Sequence, residues 1–406
     1  MTNISWPANP SLSCMVFIRS SAHSARFIVR ISIRWSQKSI FQPFRVSYPS
    51  KNFMRYWCVI GNRELSVTYR KGRNQQMSSC EHTRSGNGMS RIGMRNDRLR
   101  LSIIPEAGGK ITELVDLQSN RNWLWSNPGI PFARAEYDVD FGRILDSGGW
   151  DEILMSVSPT ELKLNDDTTF YIPDHGDVVG QHWVVSRADV DPNGDAVCEM
   201  TVQGRAADYQ LTRAVRLPEG SARLELSYTL TNNETHDVPW YWCAHALLAA
   251  ESDLFIDLPA GQVFRVDQCS ARSNHADTVK KNWPILDLTC GKMLDLSRSF
   301  ASIVEDDRFA AKVFVRTPES GIVNVGFANT NERFSLQYDP ERMPWLGLWI
   351  NNKGWSESTG ELVQVLGLEP ATAPYDDVAE ALENDAISWL QAGETRRWSM
   401  AVEIRS

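Results

Sequence analysis

From residue 98 onward, apolar and polar positions alternate in run after run. Leu99, Leu101 and Ile103 are separated by polar or charged neighbours, Pro105 and Gly108-Gly109 supply a turn, and residues 111–115 resume the pattern. Such a pair of runs reads as a β-hairpin. Period-two stretches recur at 182–190, 197–203, 209–217 and 224–231. In the last, Leu224, Leu226, Tyr228 and Leu230 share one side while Glu225, Ser227 and Thr229 share the other. Further strands are predicted at 238–249, 254–258, 312–316, 322–327, 334–338, 345–350, 362–368 and 397–404. Turn clusters such as Asp191-Pro192-Asn193-Gly194 separate several of them. One helix is predicted, over 375–384. Many short strands with few helices define an all-β chain, expected to form a large antiparallel β-sandwich or barrel.

The first 96 residues break this pattern. They carry 15 Lys/Arg against 2 Asp/Glu, a balance of +13 in a chain whose total is −8. We expect two regions: residues 1–96, a basic extension that is disordered or spuriously translated, and residues 97–406, the β-sandwich domain. The scattered basic charges match no nucleic-acid-binding motif, and the acidic body disfavours a polyanionic partner. No nucleic-acid partner is therefore expected. The seven cysteines include no close pair. That spacing argues against a zinc site or a disulfide framework and fits the reducing cytoplasm. No run is apolar enough to span a bilayer, so no membrane partner is expected.

Three segments place proton-transfer side chains among turn-forming or apolar residues. His175 lies in the turn Pro173-Asp174-His175-Gly176. His245 lies in the apolar run Trp240-Tyr241-Trp242-Cys243-Ala244-His245-Ala246-Leu247. Glu369 ends the strand-like run 363–368 and precedes Pro370. Two imidazoles and a carboxylate can supply the acid and base of a reaction near neutral pH. Read singly, each has a plain structural alternative: a turn histidine, a core histidine and a carboxylate at a strand end.

Taken together, these segments resemble the aldose 1-epimerase (galactose mutarotase-like) family. Gly148-Gly149-Trp150-Asp151-Glu152, Leu346–Asn351 and Gly393-Glu394 before Trp398 complete the match, in order, from about Leu99 to the C-terminus. The resemblance implies a β-supersandwich that binds a monosaccharide. It implies His245 as general acid, Glu369 as general base and His175 as a second, sugar-polarising histidine. Asp174, Arg143, Trp150, Trp349 and Asn351 are the expected substrate contacts. The family's polar residues around the acid are replaced here by Ala244, Ala246, Leu247 and Leu248, and Arg143 is the best counterpart of its sugar-binding arginine.

The implied reaction opens and recloses a sugar ring. Glu369 takes the proton of the C1 hydroxyl while His245 protonates the ring oxygen. The imidazole pKa, about 6.5 unperturbed, is expected to be raised by a nearby carboxylate. No metal or organic cofactor is needed, and the partner is a small sugar. Three rivals stand beside this reading. A hexose-phosphate epimerase needs Arg or Lys around the phosphate. A glycoside-processing enzyme needs two carboxylates, for instance Glu369 with Asp174 or Asp177. A sugar-binding protein of the same fold needs no turnover.

Overall fold

The structure, a computed structural model, describes residues 78–406 apart from 165–167, 271–280, 288–292, 299, 301–307 and 357–361. Before residue 78 it describes only the backbone of five strands, in two small antiparallel sheets. The chain divides into two compact units at residue 75.

The second unit is a sandwich of two large antiparallel sheets, one of twelve strands and one of eight. The hairpin expected after Arg98 is present: Leu99–Ile104 pairs with Lys110–Asp116. Along one half of the larger sheet run, in order, Val263–Cys269, Phe309–Arg316, Trp345–Asn352, Gln364–Ala371, Trp242–Ala249 and Trp150–Leu154. The eight-stranded sheet includes Tyr209–Leu217, Arg223–Asn232 and Thr395–Arg405. The helix expected at 375–384 is shorter, Val378–Glu383, and begins where the Asp377 carboxylate caps the Ala379 N–H.

Alternation decides which side chains meet the other sheet. On the central strands Ala246, Leu248, Leu366, Leu368, Leu348 and Ile350 join the common core. Glu152 turns the same way and is fully enclosed. It accepts hydrogen bonds from Arg213 (3.1 Å), Tyr228 Oη (2.8 Å) and Trp242 Nε1 (3.1 Å), so both sheets satisfy one buried carboxylate. The odd-numbered neighbours Asp151, His245, Leu247, Glu369 and Trp349 are left on the opposite face.

The sheet starts earlier than the sequence suggests. Ser79–Arg84 and Ser90–Arg95 are already strands of it. Met89, Ile92 and Met94 are each at most 3% exposed. The domain boundary expected at residue 97 is corrected accordingly. Ser79–Arg84 fully buries none of its residues and Ser90–Arg95 only Ile92 and Met94, so two six-residue strands offered too little apolar signal to stand out from the basic stretch around them. Apart from the backbone of those five strands, the expectation of a disordered or spurious extension over residues 1–77 lies outside the described residues. Compared with a chain starting at Met77, one starting at Met94 loses the burial of Met89 and Ile92, together about 3–6 kcal/mol. Its melting temperature should fall by on the order of 10 °C in a calorimetric scan.

Candidate functional site

The face of the larger sheet turned away from the smaller one carries a cavity of about 250 Å³. That is slightly below the roughly 300–1,000 Å³ of sites for drug-sized ligands. His175, His245 and Glu369 all line it. The strand register explains the convergence. Trp242–Ala249 pairs with Gln364–Ala371, placing Ala246 opposite Leu368, so His245 and Glu369 emerge side by side. His245 Nε2 lies 3.8 Å from Glu369 Oε1.

His175 arrives from a turn. It has φ of 58°, an unusual conformation for a residue with a side chain, and Gly176 follows at 83°. A Cβ on Gly176 would come within 2.6 Å of the Leu154 carbonyl, so only glycine fits. Asp174 Oδ1 holds the His175 ring at Nδ1 over 2.9 Å, and Phe141 stacks on its face with centroids 3.4 Å apart. The two imidazoles stand edge to face at 5.4 Å.

Glu369 is fully buried. Its Oε2 accepts from Lys312 Nζ and contacts Cys243 Sγ at 3.6 Å. Its Oε1 has no hydrogen-bond partner, nor does His245 Nδ1. Lys312 Nζ also forms an ion pair with Asp376 Oδ1 at 3.1 Å. Burial alone would favour loss of the Lys312 proton, but Asp376 and Glu369 outweigh it and hold the ammonium above its ordinary range. Burial raises the Asp376 carboxyl, against the pull of Lys312 and with the push of Glu369.

His245 departs from expectation. Its pKa lies well below the ordinary 6.5, because of burial first and then the charges of His175, Lys312 and Lys110. The upward shift expected from a neighbouring carboxylate is therefore corrected: Lys312 occupies that carboxylate, and burial with the positive charges of His175, Lys312 and Lys110 prevails at the ring.

The other expected contacts divide. Asp174, Trp349 and Asn351 line the cavity. Asn351 also ties down the next loop, accepting from the Gly354 and Trp355 N–H groups and donating to the Trp355 carbonyl. Trp150 is fully buried and does not line the cavity. Its even-numbered position points it into the sandwich, while Asp151 takes the other face and pairs with Lys110 at 2.7 Å. Arg143 is exposed and does not line the cavity either. The one-turn helix Phe141–Ile144 turns Phe141 inward, and Arg143 two residues later points outward. Asp146 lines the cavity as well. Asp177 is instead bound by Tyr137, Tyr209 and two backbone N–H groups.

Sequence reasoning missed Lys312, Asp376 and Phe141. Lys312 carried a signal: it is the only charge in the apolar run 309–315. A charge so placed is rarely buried without a partner.

No protein-family model matches the chain, and no curated protein matches it in sequence. Solved structures do match. A galactose mutarotase-like protein from Clostridium acetobutylicum has a TM-score of 0.58 at 12% identity, over 82% of this chain and 99% of that one. One from Lactobacillus casei has a TM-score of 0.53 at 16% identity, over 78% of this chain and all of the other. A TPR-domain containing protein from Parabacteroides distasonis reaches 0.53 at 14%; the match covers 87% of this chain but only 49% of that longer protein. The chain thus has the galactose mutarotase-like fold, an all-β antiparallel sandwich.

Proposed function

We propose that the protein interconverts the α and β anomers of a free monosaccharide, as an aldose 1-epimerase does. The observation that carries this reading is the bare Oε1 of Glu369, 3.8 Å from His245 Nε2, in a sugar-sized cavity. A sugar C1 hydroxyl at Oε1 finds a base with a free lone pair. The ring oxygen, one bond away from C1, then falls to His245, which donates a proton as the C1–O5 bond breaks. The aldehyde rotates about C1–C2 and recloses with the proton movements reversed. Each full cycle returns both protons, so no net proton crosses the protein. Acid–base assistance of this kind contributes about 100- to 10,000-fold.

The remaining wall suits a neutral sugar. Trp349 and the half-exposed Trp355 offer apolar faces to its C–H groups, and Asp146 and Asp174 offer acceptors to its hydroxyls. The phosphate-sugar rival fits less well: among the described lining residues there is no arginine, and the one lysine is already claimed by two carboxylates. Glycoside hydrolysis leaves both histidines without work.

The direct test is NMR exchange between anomers over a panel of free aldoses. Acceleration of none of them would overturn the proposal. A second variant probes the geometry. At Gly367 an added Cβ would stand 2.5 Å from Glu369 Oε1 and 2.8 Å from Trp349 Cβ. Gly367→Ala is expected to cost about 1–3 kcal/mol by overpacking. It should lower exchange at least about tenfold by turning the base away, with the circular dichroism spectrum unchanged.

A further inference from the structure

Lys312 is a cation in the middle of a strand whose other residues over 309–315 are all apolar, and 4% of it is exposed. Its ammonium reaches across the Trp345–Asn352 strand to Oε2 of Glu369, and at 3.1 Å to Oδ1 of Asp376. Cys243 Sγ approaches the same Oε2. Every hydrogen-bond partner of the Glu369 carboxylate therefore lies on one oxygen. The other, Oε1, is buried without a partner, in space left open by the missing side chain of Gly367.

We infer that Lys312 is a positioning residue: it clamps one oxygen of Glu369, backed by Asp376, and so commits the bare oxygen to the ligand. This rests on the anomer-exchange reading of the same cavity. A carboxylate in a dry wall with no cation beside it takes up a proton and ceases to be a base. Asp376 supplies the second anion that holds the ammonium in place. Between two carboxylates Lys312 stays charged, so its nitrogen has no lone pair with which to attack the open-chain aldehyde. Its part is to orient the base.

The test uses Lys312→Ala in the full chain, assayed by anomer exchange with and without propylammonium chloride, with 1-propanol as the neutral counterpart of the same size. The expected result is a fall in kcat of on the order of 100-fold with KM within about threefold of wild type. Propylammonium should restore about tenfold or more of the loss and propanol none. A kcat within about threefold of wild type, or equal recovery with propanol, would overturn the assignment, because then only a filled hole matters.

A second variant, Lys312→Met, keeps the volume and is read without any sugar, by NMR titration of the His245 ring. The charged and titratable groups around that ring are His175, Glu369, Lys312 and Lys110, with Asp146, Asp151 and Asp376 on the neighbouring walls. Removing the Lys312 cation should move the titration up by about half a pH unit or more. An unmoved titration would show that the ammonium carries no charge into the site beside the imidazole, and would overturn the assignment. Wild type inactive on every sugar with a shifted titration would sink the function reading and leave the clamp standing.

Discussion

Glu369→Gln is expected to lower kcat for anomer exchange by about 100- to 10,000-fold while leaving KM within about threefold. The substitution is nearly isosteric. The amide oxygen can still accept from Lys312 at the Oε2 position, so the clamp and the strand pairing with Gly347 survive. The amide NH2 then replaces the bare Oε1 beside His245. A lone pair becomes a pair of donors, and the C1 hydroxyl loses its base while keeping a hydrogen-bond partner. Ligand contacts from Trp349, Asp146 and Asp174 are untouched. Lys312 keeps Asp376 as its anion, so the variant should fold. Line-shape or exchange NMR on the best sugar separates the two parameters. A variant retaining more than about a tenth of wild-type kcat would show that Glu369 is not the base.

Much of this site was legible in the sequence because each of its chemical residues breaks a local rule. His175 sits before a glycine in a turn, His245 interrupts an apolar run, and Glu369 ends one. Tyr209–Leu217 and Arg223–Asn232 were legible for the opposite reason: one face meets the core and the other meets solvent or polar neighbours, so period two is clean. Trp150–Leu154 was missed as a strand because it is buried on both faces, and its charges are satisfied only by distant partners. Asp151 needs Lys110, forty-one residues earlier, and Glu152 needs Arg213, Tyr228 and Trp242. No local pattern encodes those pairings. The same limit hid Trp150 and Arg143. Tryptophan and arginine beside a site both read as ligand contacts, and only the strand's parity and the turn of a four-residue helix show that one faces the core and the other the solvent. The His245 environment was misjudged for a related reason. The sequence shows a carboxylate in the same constellation but not the lysine that has already taken it.

That lysine sets the expected pH dependence. If His245 protonates the ring oxygen, kcat/KM follows the fraction of free enzyme in which its imidazole carries a proton. Burial, then the positive charges of His175, Lys312 and Lys110, hold that pKa well below 6.5. The protonated fraction is therefore small at neutral pH and grows as the pH falls. The expected profile has kcat/KM dropping by about tenfold per pH unit from pH 7 to pH 9, with a midpoint below the ordinary histidine value. A histidine raised by an unshared carboxylate would give the reverse, a flat profile through pH 7 and a fall only above it. His245→Gln should remove the slope and leave a low, pH-independent rate. The spontaneous exchange of the sugar, itself sensitive to acid and base, must be subtracted at each pH. A wild-type midpoint above 6.5 would mean that the charge of Glu369, shared with Lys312, still governs the imidazole. A slope that survives in His245→Gln would place the acid elsewhere on the cavity wall, with Asp146 the nearest alternative, since burial lifts its carboxyl above the usual range.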